Sequence, residues 1–382
     1  MNLRIVLYCG LNLQTANLKK RIVFSVSNDL SYDQRMQRHL TCLSDAGYET
    51  FLVGRELPNS IALKPMPFEQ FRLTCWFNKG KLFYIEFQVR LLLFLLFIQA
   101  DCYVAIDLDT LLPNFIAAKL KGSKLVHDAH EYFVEVPELS NRNISQFFWD
   151  TIGNACIAAC HLQYTVAEEL AQELSSKYHA AFKTVRNVPP LLTDQPTLKT
   201  TNEVPVVLYQ GALNQGRGLE QLILAMHQLP VLLWIVGEGD LSQDLRNLVK
   251  QQGLAHQIKF WGFVEPHSLR EITLKADIAY NLLEPKGLSY QFSLANKFFD
   301  YMHAGIPQLC ADFIAYQTIN QTHKVALLLD CNTESIVSAI QQLLSNKQLY
   351  AELKANCLKA SKMYNLQLES EKLLGYYQNL WS

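Results

Sequence analysis

The fold is decided by one stretch, Leu283-Glu-Pro-Lys-Gly-Leu-Ser-Tyr-Gln-Phe-Ser-Leu-Ala-Asn-Lys-Phe-Phe-Asp-Tyr-Met-His-Ala-Gly-Ile-Pro307. Its second half predicts a short helix in which Lys297 and Asp300 are three residues apart. Side chains at this spacing lie on one face of a helix, so we expect the ammonium and the carboxylate to face the same space. Such a pair suits a ligand that carries both phosphate and sugar hydroxyl groups.

The length and composition predict an ordinary globular protein. The chain has 382 residues, 49% of them hydrophobic, and a formal charge of −1, which fits about two domains. This neutrality argues against nucleic acid as a partner. Residues 1–90 nevertheless hold twelve Lys or Arg against seven Asp or Glu. That excess fits either a solvated surface or a surface that rests on anionic lipid headgroups.

The cysteines and the N-terminal sequence predict a cytoplasmic protein. The nine cysteines form no Cys-x-x-Cys pair, which is typical of reduced thiols. Cys156, Cys160 and His161 lie in an Ala-rich apolar stretch, which favours buried packing over metal binding. The first residues lack the basic leader, long apolar region and cleavage site of a secretory signal.

Residues 81–100 form a segment that is apolar nearly all round. Its uninterrupted run, 91–98, is far shorter than the roughly 20 residues that cross a bilayer. Glu86 and Arg90 are four residues apart and are expected to pair on a single polar stripe. Two alternatives remain, a core helix or a helix that lies in the membrane interface.

Short apolar strands alternate with helices along the whole chain, which predicts two doubly wound Rossmann-like α/β domains. The predicted strands are 21–27, 49–54, 102–106 and 124–128 in the first half and 206–209, 231–236, 258–260 and 278–280 in the second, with 5–9 a strand or an extension. The predicted helices are 34–46, closed by Gly47, and two that begin at Leu219 and Leu241.

A stretch rich in Pro, Thr and Asn at 187–205 predicts a linker between the domains. We therefore divide the chain into a first domain at 1–188, a linker at 189–204, a second domain at 205–365 and a final helix at 366–382.

Glycine-rich turns in the second half predict phosphate binding. One turn leads directly into a helix, whose free backbone amides suit a pyrophosphate, and contains Gly211, Gly216 and Gly218. Arg217 in this turn is either a further phosphate ligand or a surface arginine. Gly237 and Glu238 follow another strand in the same way. Glu238 is either a ligand or an exposed loop residue.

Polar residues follow the strands of the first half. Alternation places Asp128 and His130 on one strand face and His127 on the other. His130 falls beyond the carboxyl end of its strand, where open α/β sheets have their sites, unless it caps the next helix. Asp29, Asp33 and Arg35 follow another strand and are candidates for contact with a second substrate, although Asp33 is equally suited to cap a helix.

Asp107 and Asp109 form an Asp-x-Asp motif, a pattern that can hold Mg²⁺ or Mn²⁺ at a diphosphate. The motif lies in the opposite half from the glycine turns, which favours helix capping or contact with a second substrate. We therefore expect no metal.

In this order the motifs resemble glycosyltransferase family four, as written in many bacterial polysaccharide enzymes. The resemblance rests on Ser-Leu-Ala-Asn-Lys at 293–297, the acid at 300, Ala-Gly-Ile-Pro at 304–307 and the loop Trp-Gly-Phe-Val at 261–264. Ala295 stands where Pro is usual, and Asp300 where Glu is commoner. The resemblance covers most of the chain and implies the GT-B fold, with two domains facing a central cleft and a last helix crossing back to the first domain.

The resemblance implies a hexosyltransferase that moves a sugar from a nucleotide-diphosphate sugar to a polysaccharide or lipid-linked acceptor. It implies retention at the anomeric carbon and no cofactor. For a cytoplasmic protein, the apolar segment at 82–98 further allows peripheral contact with the inner membrane surface. Two alternatives are a sugar-nucleotide 2-epimerase and a non-catalytic partner in a glycan assembly complex.

The resemblance also assigns residues to roles. The catalytic set is His130, Arg217, Lys297 and Asp300; donor binding falls to Gly211, Gly216, Gly218, Gly237, Glu238, Phe263, Val264 and Asn296; the acceptor side has Asp29, Asp33, Arg35 and Asp128.

Overall fold

The computed structural model of the protein describes residues 19–136, 143–192 and 202–382. The expected strand or extension at 5–9 lies outside the described residues. Within them, two parallel sheets with helices on both faces confirm the predicted fold class.

The first sheet has seven strands in the order β3-β2-β1-β4-β5-β6-β7. The strands are β1 Arg21–Ser25, β2 Glu49–Glu56, β3 Glu69–Thr74, β4 Cys102–Ile106, β5 Lys124–Ala129, β6 Leu162–Thr165 and β7 Phe182–Thr184. Its helices are α1 Gln34–Asp45, α2 Gly80–Phe97, α3 Asp107–Lys121, α4 Asn143–Cys156 and α5 Glu168–Tyr178. All five residues of β4 are buried, as expected for a central parallel strand covered on both faces.

The second sheet has six strands in the order β10-β9-β8-β11-β12-β13. The strands are β8 Val206–Gln210, β9 Leu232–Val236, β10 Ile258–Gly262, β11 Ile278–Asn281, β12 Gln308–Ala311 and β13 Ala326–Leu329. The helices are α6 Leu219–Ala225, α7 Ser242–Gln251, α8 Pro266–Lys275, α9 Leu288–Gln291, α10 Asn296–His303, α11 Ile314–His323, α12 Thr333–Ser345, α13 Lys347–Ser361 and α14 Leu366–Gln378.

The predicted return of the last helix to the first domain is confirmed. Leu373, Tyr377 and Leu380 belong to the apolar cluster of the first sheet. The Tyr377 ring stacks on Phe24 of β1 at 6.3 Å between centroids, and its hydroxyl lies 3.3 Å from that of Tyr164. The limits of the domains remain a prediction, with β7 ending at Thr184 and β8 beginning at Val206.

The carboxyl edge of the first sheet faces the second domain. Tyr132, just after β5, packs on Phe292 at 6.2 Å between ring centroids. Lys64 Nζ also lies 3.2 Å from a carboxylate oxygen of Glu265 across the two domains. A cavity of about 540 Å³ lies between them and is lined by residues of both.

The structure of α2 decides only in part between the two alternatives for this segment, a core helix and a helix in the membrane interface. Arg90 donates to Glu86 at 2.7 Å, as its spacing predicted. Only four of its side chains are buried in the core: Phe83, Phe87, Leu91 and Leu95. Within the described residues no helix is long and apolar enough to cross a membrane. Tyr84 and Phe94 are half-buried and pack against the same core. The other exposed apolar side chains of α2 are not accounted for by the core: Leu82, Ile85, Val89, Leu93, Leu96 and Phe97.

The cysteines near residue 160 pack in the interior. Cys156 and Cys160 are buried, and the Nδ1 atom of His161 accepts the backbone N–H of Leu125 at 3.2 Å. Of the described His, Cys, Asp and Glu side chains, no three come together in a group that could hold a metal ion.

Candidate active site

Two cations, Lys297 and Arg217, approach each other beside the end of β8. Lys297, from α10, is buried, and its Nζ lies 4.0 Å from the centroid of the Tyr209 ring. Arg217 comes from the loop before α6, and its Cζ lies 5.3 Å from the centroid of the Tyr290 ring. Its Nε is buried without a hydrogen-bond partner. Burial, reinforced by the charge of Arg217, holds the pKa of Lys297 well below its usual value. Neither cation pairs with a carboxylate in the described part of the chain.

The two glycine turns touch each other, which explains why they contain glycine. Gly211 and Gly237 have φ of 136° and 131°, and a Cβ at Gly237 would stand 2.0 Å from the Gly211 carbonyl oxygen. Gly216, with φ of 77°, leaves no room either, since a Cβ there would lie 2.8 Å from the Tyr290 ring. Gly218 precedes α6 with φ of 63°. The Lys297 Nζ would be 3.9 Å from a Cβ at Gly211, so the cations border these turns.

Asp300 does not share a space with Lys297, which corrects our expectation. Gln210 donates to Asp300 at 3.1 Å, whereas Lys297 lies over Tyr209. Consecutive strand residues point to opposite faces of a sheet, so α10 sends these two side chains to either side of β8. Burial raises the pKa of Asp300 to about 6 against the opposing charge of Arg38. Asp300 lines the cavity between the domains together with Arg38.

The other predicted donor residues lie around these groups. Glu238 is engaged by Arg246 at 2.6 Å, and hydrogen bonds from Arg246 and Ser242 hold its pKa below the usual value. Phe263 is exposed, Val264 packs against the apolar cluster of the second sheet, and Asn296 is an exposed residue at the start of α10. Their ligand roles remain predictions.

His130 lies in a network of charges at the carboxyl end of β5. Its Nε2 is 3.3 Å from Asp128. Burial disfavours the charged imidazole, but Asp128 outweighs burial and raises the pKa of His130 to about 9. His127 points to the opposite face, as predicted, where its ring meets Phe182 at 6.0 Å.

Asp128 and Arg35 are too deeply buried to touch an acceptor, which corrects that part of our expectation. Arg35 donates to both carboxylate oxygens of Asp128, at 2.7 and 3.1 Å, and to the Val185 carbonyl at 2.8 Å. Arg35 is 4% exposed and Asp128 is 0% exposed. Burial opposes the ionised Asp128, but Arg35 and His130 hold its pKa far below the usual range. The pair thus orients His130 from beneath.

Asp29 and Asp33 are engaged locally. Asp29 accepts the Ser31 N–H at 2.7 Å and pairs with Arg72 at 2.9 Å. Burial would raise the pKa of Asp29, but hydrogen bonds from Ser31 and Ser60 hold it low. Asp33 accepts the Met36 N–H at 3.0 Å and caps α1. The capping alternative for Asp33 therefore has a geometric basis, and a role toward an acceptor remains a prediction for both residues.

Asp107 is held in an unusual backbone conformation beside His130. Its φ is 54°, a left-handed value that non-glycine residues rarely adopt and that is often found at functional sites. Its carboxylate accepts the His130 backbone N–H at 2.8 Å. Burial raises the pKa of Asp107 to about 8 and that of Asp109 to about 6. Ser27 donates a hydrogen bond to Asp109.

Sequence reasoning missed the residues that support the charged groups. Tyr209 lies under Lys297, Gln210 holds Asp300, and Arg38 faces Asp300 from the first domain. The alternation of β8 and the spacing of Arg38 three residues after Arg35 were signals in the sequence. They become informative only when the positions of α10 and α1 relative to the sheets are known.

The fold is shared with solved proteins. Sucrose-phosphate synthase from Thermosynechococcus elongatus has a TM-score of 0.76 and 16% identity over 95% of this chain and 99% of that one. Anabaena HepE, solved in complex with UDP-glucose, has a TM-score of 0.73 and 13% identity over 94% and 99%. The class of protein that the fold defines is therefore GT-B.

The second half of the sequence matches a known protein family. Residues 193–360 match the family described as "Glycosyl transferases group 1", in agreement with the resemblance. The chain is 33% identical over 89 residues to an uncharacterised glycosyltransferase of Methanocaldococcus jannaschii, covering 22% of this chain and 23% of the relative. It is 24% identical over 162 residues to the lipopolysaccharide core biosynthesis glycosyltransferase LpsE of Rhizobium meliloti, covering 42% and 45%. The matches thus span under half the length of these curated relatives.

Proposed function

We propose that the protein is a glycosyltransferase that moves a hexose from a nucleotide-diphosphate sugar to a polysaccharide or lipid-linked acceptor. One observation carries the proposal: Lys297 and Arg217 lie beside the glycine turns without an anionic partner in the described residues. A buried cation costs free energy unless an anion compensates it. A diphosphate at this point would compensate both cations.

The neighbouring proteins support a nucleotide-sugar ligand. HepE was solved with UDP-glucose, and the matching relatives are named glycosyltransferases. None of these comparisons supports an epimerase, so we do not retain that alternative. The presence of Lys297 and Arg217 also argues against a non-catalytic partner, because a protein without donor chemistry has no use for two basic side chains beside the glycine turns.

The proposed mechanism is electrostatic. As the bond between the sugar and the diphosphate breaks, charge develops on the leaving oxygen, and Lys297 and Arg217 stabilise it. His130, held charged by Asp128 at neutral pH, faces the donor sugar from the first domain. Asp300 binds hydroxyl groups of the nucleotide on the other side of β8. We propose retention at the anomeric carbon: the acceptor hydroxyl attacks from the face that the diphosphate leaves, and its proton passes to the departing diphosphate oxygen.

In this mechanism the two cations take the part that a divalent metal plays at other diphosphate sites. Turnover should therefore be the same in excess EDTA as in added Mg²⁺. Loss of turnover in EDTA, restored by a divalent cation, would remove this part of the proposal.

The experiment that tests the proposed function combines donor binding with turnover. Thermal shifts against UDP-, GDP- and ADP-sugars identify the donor series, because a ligand of the native state raises the melting temperature. Lys297→Ala and Arg217→Ala should each lose this shift and lower turnover by about 100-fold or more, a typical cost for a group that stabilises transition-state charge. Lys354→Ala, an exposed lysine on α13, is the control. Wild-type binding and turnover in both site variants would contradict the proposal.

A further inference from the structure

An apolar surface covers the outer faces of α2 and α4. On α2 the exposed side chains follow the 3- and 4-residue spacing of one helix face: Leu82, Ile85, Val89, Leu93 and Leu96, with Phe97 89% exposed at the end. On α4 they are Ile144, Phe147 and Phe148. Trp76 and Phe77, just before α2, add to the same surface, with Trp76 83% exposed. We call these residues the apolar face.

The two parts of the apolar face are continuous. Tyr84 of α2 meets Trp149 of α4 edge-on at 5.5 Å between ring centroids, and Phe148 lies 5.1 Å from the same indole. α3 packs against both helices. Monomeric soluble proteins rarely expose an apolar patch of this extent without a partner.

Trp76 is held outward by a built support. The carboxylate of Glu86 accepts the backbone N–H groups of Trp76 and Phe77, at 2.9 to 3.0 Å. It also accepts from Arg90 at 2.7 Å, whose guanidinium lies 4.8 Å from the Trp76 ring. Glu86 and Arg90, the polar stripe of α2, therefore hold the exposed side chains of Trp76 and Phe77 in place.

The unpaired charges that the described residues place around the apolar face are positive. Lys79 and Lys81 stand at the start of α2, with no carboxylate partner in the described residues. Lys119 lies in the last turn of the adjacent α3. Among the described residues, the two acids on α2 and α4 are engaged, Glu86 as stated above and Asp150 with Lys177 at 2.9 Å. A wide apolar surface edged by lysines, with aromatic residues at one end, is complementary to an anionic lipid bilayer.

We propose that the apolar face docks on an anionic membrane surface, with Trp76 and the start of α4 at the lipid interface. The occupant is lipid because cations edge the face and aromatic side chains prefer the level of the headgroups. The docked end lies beside the cleft, since Phe133, next to the interdomain contact of Tyr132, packs on Trp149 at 5.4 Å. This position gives a lipid-linked acceptor access to the cleft. The access of a lipid-linked acceptor to the cleft rests on the proposed function, whereas the docking itself does not.

Vesicle co-flotation of the purified full chain tests the proposal. Vesicles of phosphatidylcholine alone and of phosphatidylcholine mixed with phosphatidylglycerol are compared. Wild type should float with the anionic vesicles. Val89→Glu/Leu93→Glu should lower the partition coefficient at least about tenfold, because it places charge on the apolar face. Ile314→Glu/Met363→Glu, which changes two exposed apolar residues elsewhere, should leave flotation unchanged.

A second pair of variants tests the charge. Lys79→Gln/Lys81→Gln should weaken binding to anionic vesicles about 25-fold, about fivefold per lysine. The matched pair Lys250→Gln/Lys354→Gln should have no effect. The proposal would be overturned if Val89→Glu/Leu93→Glu and Lys79→Gln/Lys81→Gln floated as well as wild type. It would also be overturned if wild type did not float with the anionic vesicles. A dimer that Val89→Glu/Leu93→Glu disrupts, measured by light scattering, would assign the face to a second copy instead.

Donor binding keeps the two proposals separable. The thermal shift with nucleotide sugars, recorded without vesicles, should be the same in the α2 variants as in wild type. If that shift is intact while flotation fails, the docking proposal is wrong and the proposed function stands. If flotation succeeds while no nucleotide sugar binds, the docking proposal stands and the proposed function is wrong.

Discussion

At the scale of single residues, Lys297 couples donor binding to pH. Its pKa is held well below the usual value in the unliganded protein by burial and by Arg217. A diphosphate beside it would favour the charged form and raise this pKa. Binding should therefore take up a proton, and affinity should fall as pH rises above the pKa of the unliganded protein.

Calorimetry in two buffers of different ionisation enthalpy at one pH measures this proton uptake. The wild-type binding enthalpy should differ between the buffers in the direction of uptake. Lys297→Met, which keeps most of the side-chain volume, should show weaker binding and no difference. Proton release, or equal enthalpies in wild type, would show that Lys297 is already charged without a ligand.

The buried pair of Arg35 and Asp128 allows a separate prediction about stability. Arg35→Met should lower the free energy of unfolding by about 3–5 kcal/mol, because it removes both hydrogen bonds of the guanidinium to the buried Asp128 carboxylate and leaves only His130 to offset its charge. Arg35→Met/Asp128→Asn should recover most of this loss, since no charge remains buried. Urea denaturation at neutral pH measures both variants. A double variant no more stable than Arg35→Met would mean that the geometry of the pair, rather than its charge, matters.

At the scale of elements, Asp33 distinguishes a helix cap from a substrate ligand. Its carboxylate accepts the Met36 N–H at the start of α1, and losing such a cap costs about 1 kcal/mol. Asp33→Ala should therefore lower stability by about that amount, whereas Asp33→Asn, which keeps a capping oxygen, should retain both stability and turnover. Unchanged stability with a loss of turnover in Asp33→Asn would assign the carboxylate to the acceptor.

The elements that the sequence predicted are those with a strong local pattern. β1, β4, β8 and β11 are buried apolar runs, and α1 has a capping Asp33 and a closing Gly47, so their positions agree with prediction to within two residues. β3, with the sequence Glu-Gln-Phe-Arg-Leu-Thr, was not predicted because its residues are half-buried or exposed at the sheet edge and carry little apolar signal.

The sequence predicted which residues belong to the candidate site, but not the direction in which each side chain points. The glycine turns, Lys297 and His130 follow from motifs that precede or follow strands. The side of β8 on which Asp300 lies depends on where α10 crosses the sheet, which is a tertiary property. The same applies to Arg35, whose burial results from its pairing with Asp128 of β5, 93 residues away.

At the scale of the whole molecule, α14 joins the two domains energetically. It follows α13 of the second domain, yet Tyr377 is fully buried in the core of the first. The backbone of Arg186 also donates to the buried Glu369 of α14 at 3.0 Å. A helix shared in this way predicts that the two domains unfold together, in a single calorimetric transition.

Tyr377→Ala should separate this transition into two. The cavity left by the ring should destabilise the first domain by about 3–5 kcal/mol, the range for large aromatic truncations, while the second domain keeps its own core. Scanning calorimetry with the nucleoside diphosphate that binds best then assigns the two transitions, because only the domain that holds Lys297 and Arg217 should be stabilised. Tyr377→Phe, which keeps the ring and loses only the hydroxyl near Tyr164, should retain a single transition. One transition in Tyr377→Ala would place the coupling in the direct contacts across the cleft, such as Tyr132 with Phe292, instead of in α14.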